Sequence, residues 1–194
     1  MRSLPFRPDT GLPALDRARY SHLMAFEGGM PFDGRFGAAI QDGMHLPPGR
    51  YEVDVPPAAH HVLFHVFETT GPPGEARIAG RRMAPPRLGA AAVIPAGSDS
   101  QWLSRGGGLI LHLHVAPAFL AGLAEEDGPA GAAATLPLRT DVADRPLTRL
   151  LDRLRRAVGG PGRLDGLVRD QVAVLCAVRM LRLGAPAGPA PQPR

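Results

Sequence analysis

From Arg50 to Val115 the chain alternates apolar and polar residues in short runs, each closed by proline or glycine. In Arg50-Tyr51-Glu52-Val53-Asp54-Val55, Tyr51, Val53 and Val55 share one side and the charged residues the other. This is the period of two of a half-buried strand. His60 to Phe67 is a second run, β-branched and aromatic, and Glu75 to Arg81 a third. Gly89 to Gly97 is a strand of small apolar residues closed by a Pro-x-Gly turn, and Leu109 to Val115 is entered through Gly106-Gly107-Gly108. Leu46-Pro47-Pro48-Gly49 and Gly71-Pro72-Pro73-Gly74 carry turn chemistry. Strands spaced by about ten residues and separated by such turns predict an all-β antiparallel barrel or sandwich.

After Pro117 the period changes. Ala118 to Glu126 predicts a short helix. Asp144 stands as an N-cap with Pro146 in the first turn, and Leu147, Leu150, Leu151, Leu154 and Val158 then form one apolar stripe. Gly159-Gly160-Pro161-Gly162 ends that helix, and a second runs from about Leu164 to Leu183. Leu164, Leu167, Val168, Val172, Leu175, Val178 and Leu181 are expected on its buried side. Val174, Cys176 and Met180 are expected on the opposite side, as a partner surface in a homodimer formed through these helices. The predicted division is an N-terminal arm over 1–44 with one or two short strands, packed on the barrel or closing over a pocket. A barrel over 45–117, a helical, dimerising region over 118–184 and a disordered tail over 185–194 follow.

Composition narrows the class. The 194 residues, 44% hydrophobic and 21% charged, fit one ordinary globular domain. All 22 basic residues are arginine, the net charge is only +4, and the sole doublets are Arg81-Arg82 and Arg155-Arg156. A nucleic-acid reader concentrates its positive charge on one face, so sequence-specific DNA binding is not expected. The single cysteine, Cys176, excludes an internal disulfide and suits a reducing compartment. Neither a signal peptide nor a membrane-length apolar run is present, so a cytoplasmic protein with no membrane association is expected.

Candidate chemistry rests on histidines. His112 and His114 share a strand face. His61 and His65 share another, with Leu63 and Phe67 beside them. The two pairs could converge on a divalent metal, but packing, hydrogen bonding or contact with a ligand is the favoured role. Glu68 closes its strand and is expected in solvent. Trp102 is placed to cover the barrel mouth, either as core or as a ligand clamp, and Tyr51 is a similar case. There is no Gly-x-Ser-x-Gly nucleophile, and no helix follows the glycine trio, so it is not a phosphate loop.

The order of these motifs resembles the cupin-like N-terminal sensor barrel of AraC-type transcriptional regulators. The resemblance covers roughly 45 to 183. It includes Leu46-Pro47-Pro48-Gly49, His60-His61-Val62-Leu63, Val93-Ile94-Pro95-Ala96-Gly97 with Trp102 beyond, Leu111-His112-Leu113-His114-Val115 running into Pro117-Ala118-Phe119-Leu120, and Arg145-Pro146-Leu147-Thr148-Arg149-Leu150. It implies an all-β, antiparallel cupin-like barrel followed by a C-terminal α-helical hairpin. Metal-dependent cupins carry a His-x-His pair and a histidine three residues after Pro-x-Gly. Here the first pair is absent and Ser100 holds the later position, so neither a metal nor another cofactor is expected. The resemblance implies a small organic ligand in the barrel, with Tyr51, His61, His65, Phe67, Trp102, His112 and His114 as candidate contacts. No helix-turn-helix precedes Arg194, as in a stand-alone sensor or a piece of a longer regulator. The alternative is a metal-independent cyclase, isomerase or dehydratase acting on a hydrophobic intermediate, with His65, His112 and His114 as general acids and bases.

Overall fold

Alternation along the strands builds two antiparallel sheets that face one another. The computed structural model describes residues 25–30, 32–55, 57–127, 136–158 and 163–184. The first 24 residues, the Gly159–Gly162 turn and the 185–194 tail lie outside them. The larger sheet has the order β1 (Ala25–Met30), β2 (Phe36–Asp42), β9 (Gly108–Val115), β4 (His61–Thr69), β7 (Ala91–Ile94), β10 (Arg139–Val142). The smaller has the order β3 (Tyr51–Val55), β8 (Ser100–Ser104), β5 (Glu75–Ile78), β6 (Arg81–Met83). Three helices follow: α1 (Pro117–Asp127), α2 (Arg145–Val158) and α3 (Arg163–Gly184). Among the described residues no helix is long and apolar enough to cross a membrane.

The centre of the large sheet is β9, paired on one side with β2 from Phe36↔Val115 to Asp42↔Leu109 and on the other with β4. Of the predicted arm, the described strands β1 and β2 are therefore built into the sheet, β2 beside its central strand. The run Glu75 to Arg81 is two strands, because Ala79 and Gly80 both take positive φ (48° and 73°). That conformation makes the two-residue hairpin turn whose twist matches its strands.

Both faces of β4 and β9 are covered. Leu63, Leu111, Leu113 and Val115 point to the helices and share one core with Leu147, Leu151, Leu154, Cys176 and Met180. Full burial of each such side chain contributes about 1.5–3 kcal/mol. The alternate residues of the same strands face the second sheet. On β4 the phase breaks at a bulge between Val66 and Glu68, and Glu68 is exposed.

Helix α3 meets the core with a face only partly the expected one: Val172 and Leu181 pack there as expected, but most of the face is turned. Val172, Ala173, Cys176, Ala177 and Met180 are buried, and Val174 packs against the same core. Leu167 and Leu175 are 60% and 51% exposed, and Val168 is exposed as well. Ala173, Cys176 and Ala177 on the inner face are small and let helix and sheet approach closely, whereas counting bulky apolar positions favours the outer face. Val174, Cys176 and Met180 are therefore not a partner surface.

Asp144 caps α2. Its Oδ1 accepts from the Leu147 amide at 2.8 Å, and its carboxylate accepts from Arg179 Nη2 at 2.7 Å and Nε at 3.0 Å. Burial alone would raise its pKa, but the Arg179 guanidinium and the Leu147 amide outweigh it and hold the carboxyl below its ordinary value. A depressed folded pKa contributes stability that is complete above the unfolded value of about 3.9 and is lost as pH falls through the folded one. Loss of the cap in Asp144→Ala is expected to cost about 1 kcal/mol at neutral pH. In thermal melts the gap to the wild type should close as the pH is lowered below about 4. An undiminished gap in acid would refute this assignment.

Candidate functional site

Between the sheets lies a cavity of about 330 Å³. β9 contributes Ile110, His112 and His114, and β4 contributes Val62, Phe64 and Val66. Register places these side by side, Val62 opposite His114, Phe64 opposite His112 and Val66 opposite Ile110. Trp102 of β8 closes the far wall, its ring stacked on Phe64 at 4.9 Å and 18°. The Trp102 Nε1–H donates to Ser100 Oγ at 2.9 Å. Ser100, at the position where metal cupins carry a histidine, thus orients the ring. Tyr51 reaches the wall too, its hydroxyl donating to the Pro47 carbonyl at 2.9 Å.

The polar groups gather on β9 and just before β4. His112 Nε2 donates to Gln41 Oε1 of β2 at 3.2 Å, and Phe64 meets the His112 ring edge-on at 5.0 Å. His114 lies parallel to His112 at 6.5 Å, and His60 meets His114 edge-on at the same distance. His60 is itself stacked on Phe32 at 4.0 Å. Two of the three rings leave buried nitrogens without a protein partner: Nδ1 of His60 and both nitrogens of His114. Buried polar atoms are nearly always satisfied; these nitrogens border the cavity, whereas His65 Nδ1, unpartnered as well, lies on the helical side. Burial pushes the His112 pKa down to about 4, and burial with the neighbouring His112 and His60 pushes His114 down to about 3. At neutral pH both are uncharged. They can donate and accept hydrogen bonds, but they hold no proton to give as general acids and are weak bases.

His61, His65 and Phe67 do not join them. They lie on the other face of β4, against the helices. His61 Nδ1 accepts from the Ala96 amide at 3.0 Å and pins the Pro-x-Gly turn, its pKa lowered by burial and by His60. His65 is packed edge-on to Phe67 at 4.6 Å, and Arg155 of α2 lies over the Phe67 ring at 5.1 Å. Burial lowers the His65 pKa, only partly offset by its hydrogen bond to the Ala90 backbone and by Asp152. The expectation that these three residues share the barrel interior is thus corrected: both faces of β4 are buried, one by the cavity and one by helices. His60, Phe64, Val66 and Gln41 take their place. Cys176 lies in the helical core with its thiol pushed up to about 12, no nucleophile. Among the described residues no three His, Cys, Asp or Glu side chains converge in a metal-binding arrangement.

No protein-family model matches the chain, and no curated protein matches it. Solved structures do. The AraC-like transcriptional activator CuxR is similar over 92% of this chain and 67% of its own, at 13% identity and a TM-score of 0.51. The fold is cupin-like. A cupin 2 conserved barrel domain protein from Salinispora arenicola matches over 64% of this chain and 99% of its own (17% identity, TM-score 0.36). The EutQ protein of Clostridium difficile matches over 53% and 75% (15%, 0.38). These likenesses concern architecture alone.

Proposed function

We propose that this cupin-like chain is a ligand-binding module of the AraC sensor type, which holds one small organic molecule between its sheets and passes occupancy to transcription through its helices. The observation that carries this reading is the cavity itself: apolar walls with buried, unpartnered imidazole nitrogens on one side. Ligand sites have this make-up, a mostly apolar lining with a few convergent polar groups. The similarity to an AraC-like activator over nearly the whole chain supports the regulatory part. The test is native mass spectrometry of the protein as purified, beside Ile110→Trp, which fills the cavity from the middle of β9. The wild type should retain a small molecule that denaturation releases, and the variant should be folded and empty. Wild-type protein that is empty, and whose melting temperature no compound in a broad metabolite panel raises, would sink the reading.

Output through helices needs an interface, and the exposed stripe Leu167, Val168 and Leu175 on α3 offers one. Large apolar side chains gathered in water tend to mark contacts. A symmetric homodimer packed on this stripe is expected. Leu167→Asp with Leu175→Asp should then sediment as a folded monomer at concentrations where the wild type is dimeric. A wild type that is monomeric at micromolar concentration, or a dimer indifferent to both changes, would place the contact elsewhere. The chain by itself is expected not to read DNA sequence, since its arginines are scattered and many are committed to ion pairs, among them Arg87–Asp141 and Arg179–Asp144.

A further inference from the structure

The ligand's chemistry is written in what the cavity lacks. Its histidine end has hydrogen-bonding atoms in excess and no fixed charge. The groups facing His114 are His112 on its own strand and His60 ahead of β4, and beyond His112 lies the neutral Gln41 amide of β2, whose oxygen is taken by His112. From the second sheet come Ser100, whose oxygen already accepts from Trp102, and Tyr51, whose hydroxyl is used by Pro47. The charged residues on the cavity wall are Glu75 and Arg87, and each is held by an opposite charge, Glu75 by Arg82 at 3.0 Å and Arg87 by Asp141. His114 is 2% exposed, with both nitrogens unpartnered.

Each neutral imidazole offers one N–H and one lone pair. A carboxyl group in its acid form offers the complement, one O–H and one acceptor oxygen on the same carbon. A bare carboxylate would enter with no counter-charge, at a desolvation cost of several kcal/mol. A cationic head at the histidine end would meet no acid, and Glu75 elsewhere on the wall is already held by Arg82. Carbohydrate would leave most of its hydroxyls against Val62, Phe64, Val66, Ile94, Ile110 and Trp102, which carry no hydrogen-bonding partner for them beyond one indole N–H already in use. The imidazoles also repel one another's charge, so the site tolerates an added proton only when an anion arrives with it.

Resting on the ligand-binding reading above, we propose that the cavity selects a hydrophobic carboxylic acid, with its body between the Phe64–Trp102 wall and Ile110 and its carboxyl at His60 and His114, bound together with one proton from solvent. The balance is one carboxylate plus one proton plus a neutral site, giving a complex of zero net charge. The proton lies in the hydrogen bond between carboxyl oxygen and imidazole nitrogen, and the count is the same whichever atom holds it. Burial that depresses His114 in the free cavity is offset by the anion beside it.

The test uses phenylbutanoic, naphthoic and decanoic acids, each beside its primary amide, which has nearly the same shape and no proton to take up. Trp102, the single tryptophan, reports occupancy by its fluorescence. Calorimetry in buffers of different ionisation enthalpy counts protons. Acids are expected to bind with one proton taken up, and their affinity should fall about tenfold per pH unit, roughly a hundredfold from about pH 6 to about pH 8. Amides should show no slope. In His114→Leu, checked by melting, acids and amides should both bind about tenfold more weakly or worse, because each loses a hydrogen-bonding partner, while a variant that binds both like the wild type would place the carboxyl elsewhere. His60→Leu serves the same purpose should His114→Leu fail to fold. Acids and amides binding alike without proton uptake would overturn the acid class and leave the ligand-binding reading standing. Failure of every probe to bind at its solubility limit would overturn both.

Discussion

Met180→Asp is expected to abolish folding, although Met180 belongs to the side of its helix that the apolar pattern assigns to a partner surface. The side chain is completely buried in the core that joins α3 to the large sheet. Loss of a buried methionine costs about 2–5 kcal/mol, and a carboxylate left there without a partner adds several more. Together these approach the whole stability of a domain, about 5–15 kcal/mol. Circular dichroism should show an unfolded or aggregated protein. Leu175→Asp, five residues earlier on the exposed stripe, should leave a native spectrum. A soluble Met180→Asp protein with a cooperative melt would show that α3 docks by its other face.

The second large effect is expected at Gly107. A methyl group there would lie 1.8 Å from the Gly43 carbonyl oxygen and 2.7 Å from its carbon. Neither loop is free to yield. Gly43 N–H donates to the Gly108 carbonyl at 2.9 Å, Thr70 N–H to the Gly107 carbonyl at 3.0 Å, and Gly107 N–H to Thr70 Oγ1 at 2.8 Å. Relief must break this lattice, which closes one end of the cavity. Gly107→Ala should cost about 3–5 kcal/mol, a fall in melting temperature of roughly 6–20 °C. Gly122→Ala is the control: the position lies within α1, open space surrounds it, and removal of a helical glycine stabilises by about 0.5–1 kcal/mol. Melting temperatures of the two variants shifting in the same direction would refute the steric account.

The strands with clean alternation, β3, β4 and β9, and the helix stripe of α2 were legible because a regular period leaves a regular pattern. β10 was not. Arg139-Thr140-Asp141-Val142 has too few apolar residues to stand out, and it is a strand because β7 offers it an edge. The β5–β6 turn was hidden because Ala79 takes a positive φ that sequence assigns to glycine. The pair His112 and His114 could be read from the period of two alone. Which face of β4 joins them could not, because both faces are buried and buried strands lose the contrast that orients them. The missing information was register: once Phe64 is known to lie opposite His112, the face follows. Gln41 carried no local signal at all, since it becomes His112's partner through the β2–β9 pairing.

That double burial sets how the proposed ligand and the proposed dimer would communicate. On β9, His112 touches the cavity, and Leu111 and Leu113 on either side of it touch the helical core. The same holds for Phe64 between Leu63 and His65. Peptide geometry is nearly inextensible, so a ligand that displaces His112 displaces its neighbours against α2 and α3 with no flexible segment between to absorb the movement. In a dimer formed through α3, the coupling is reciprocal: by whatever factor an occupied cavity tightens the association of two copies, association tightens the cavity's hold on its ligand. Sensitivity to the small molecule would then rise with the protein's own concentration.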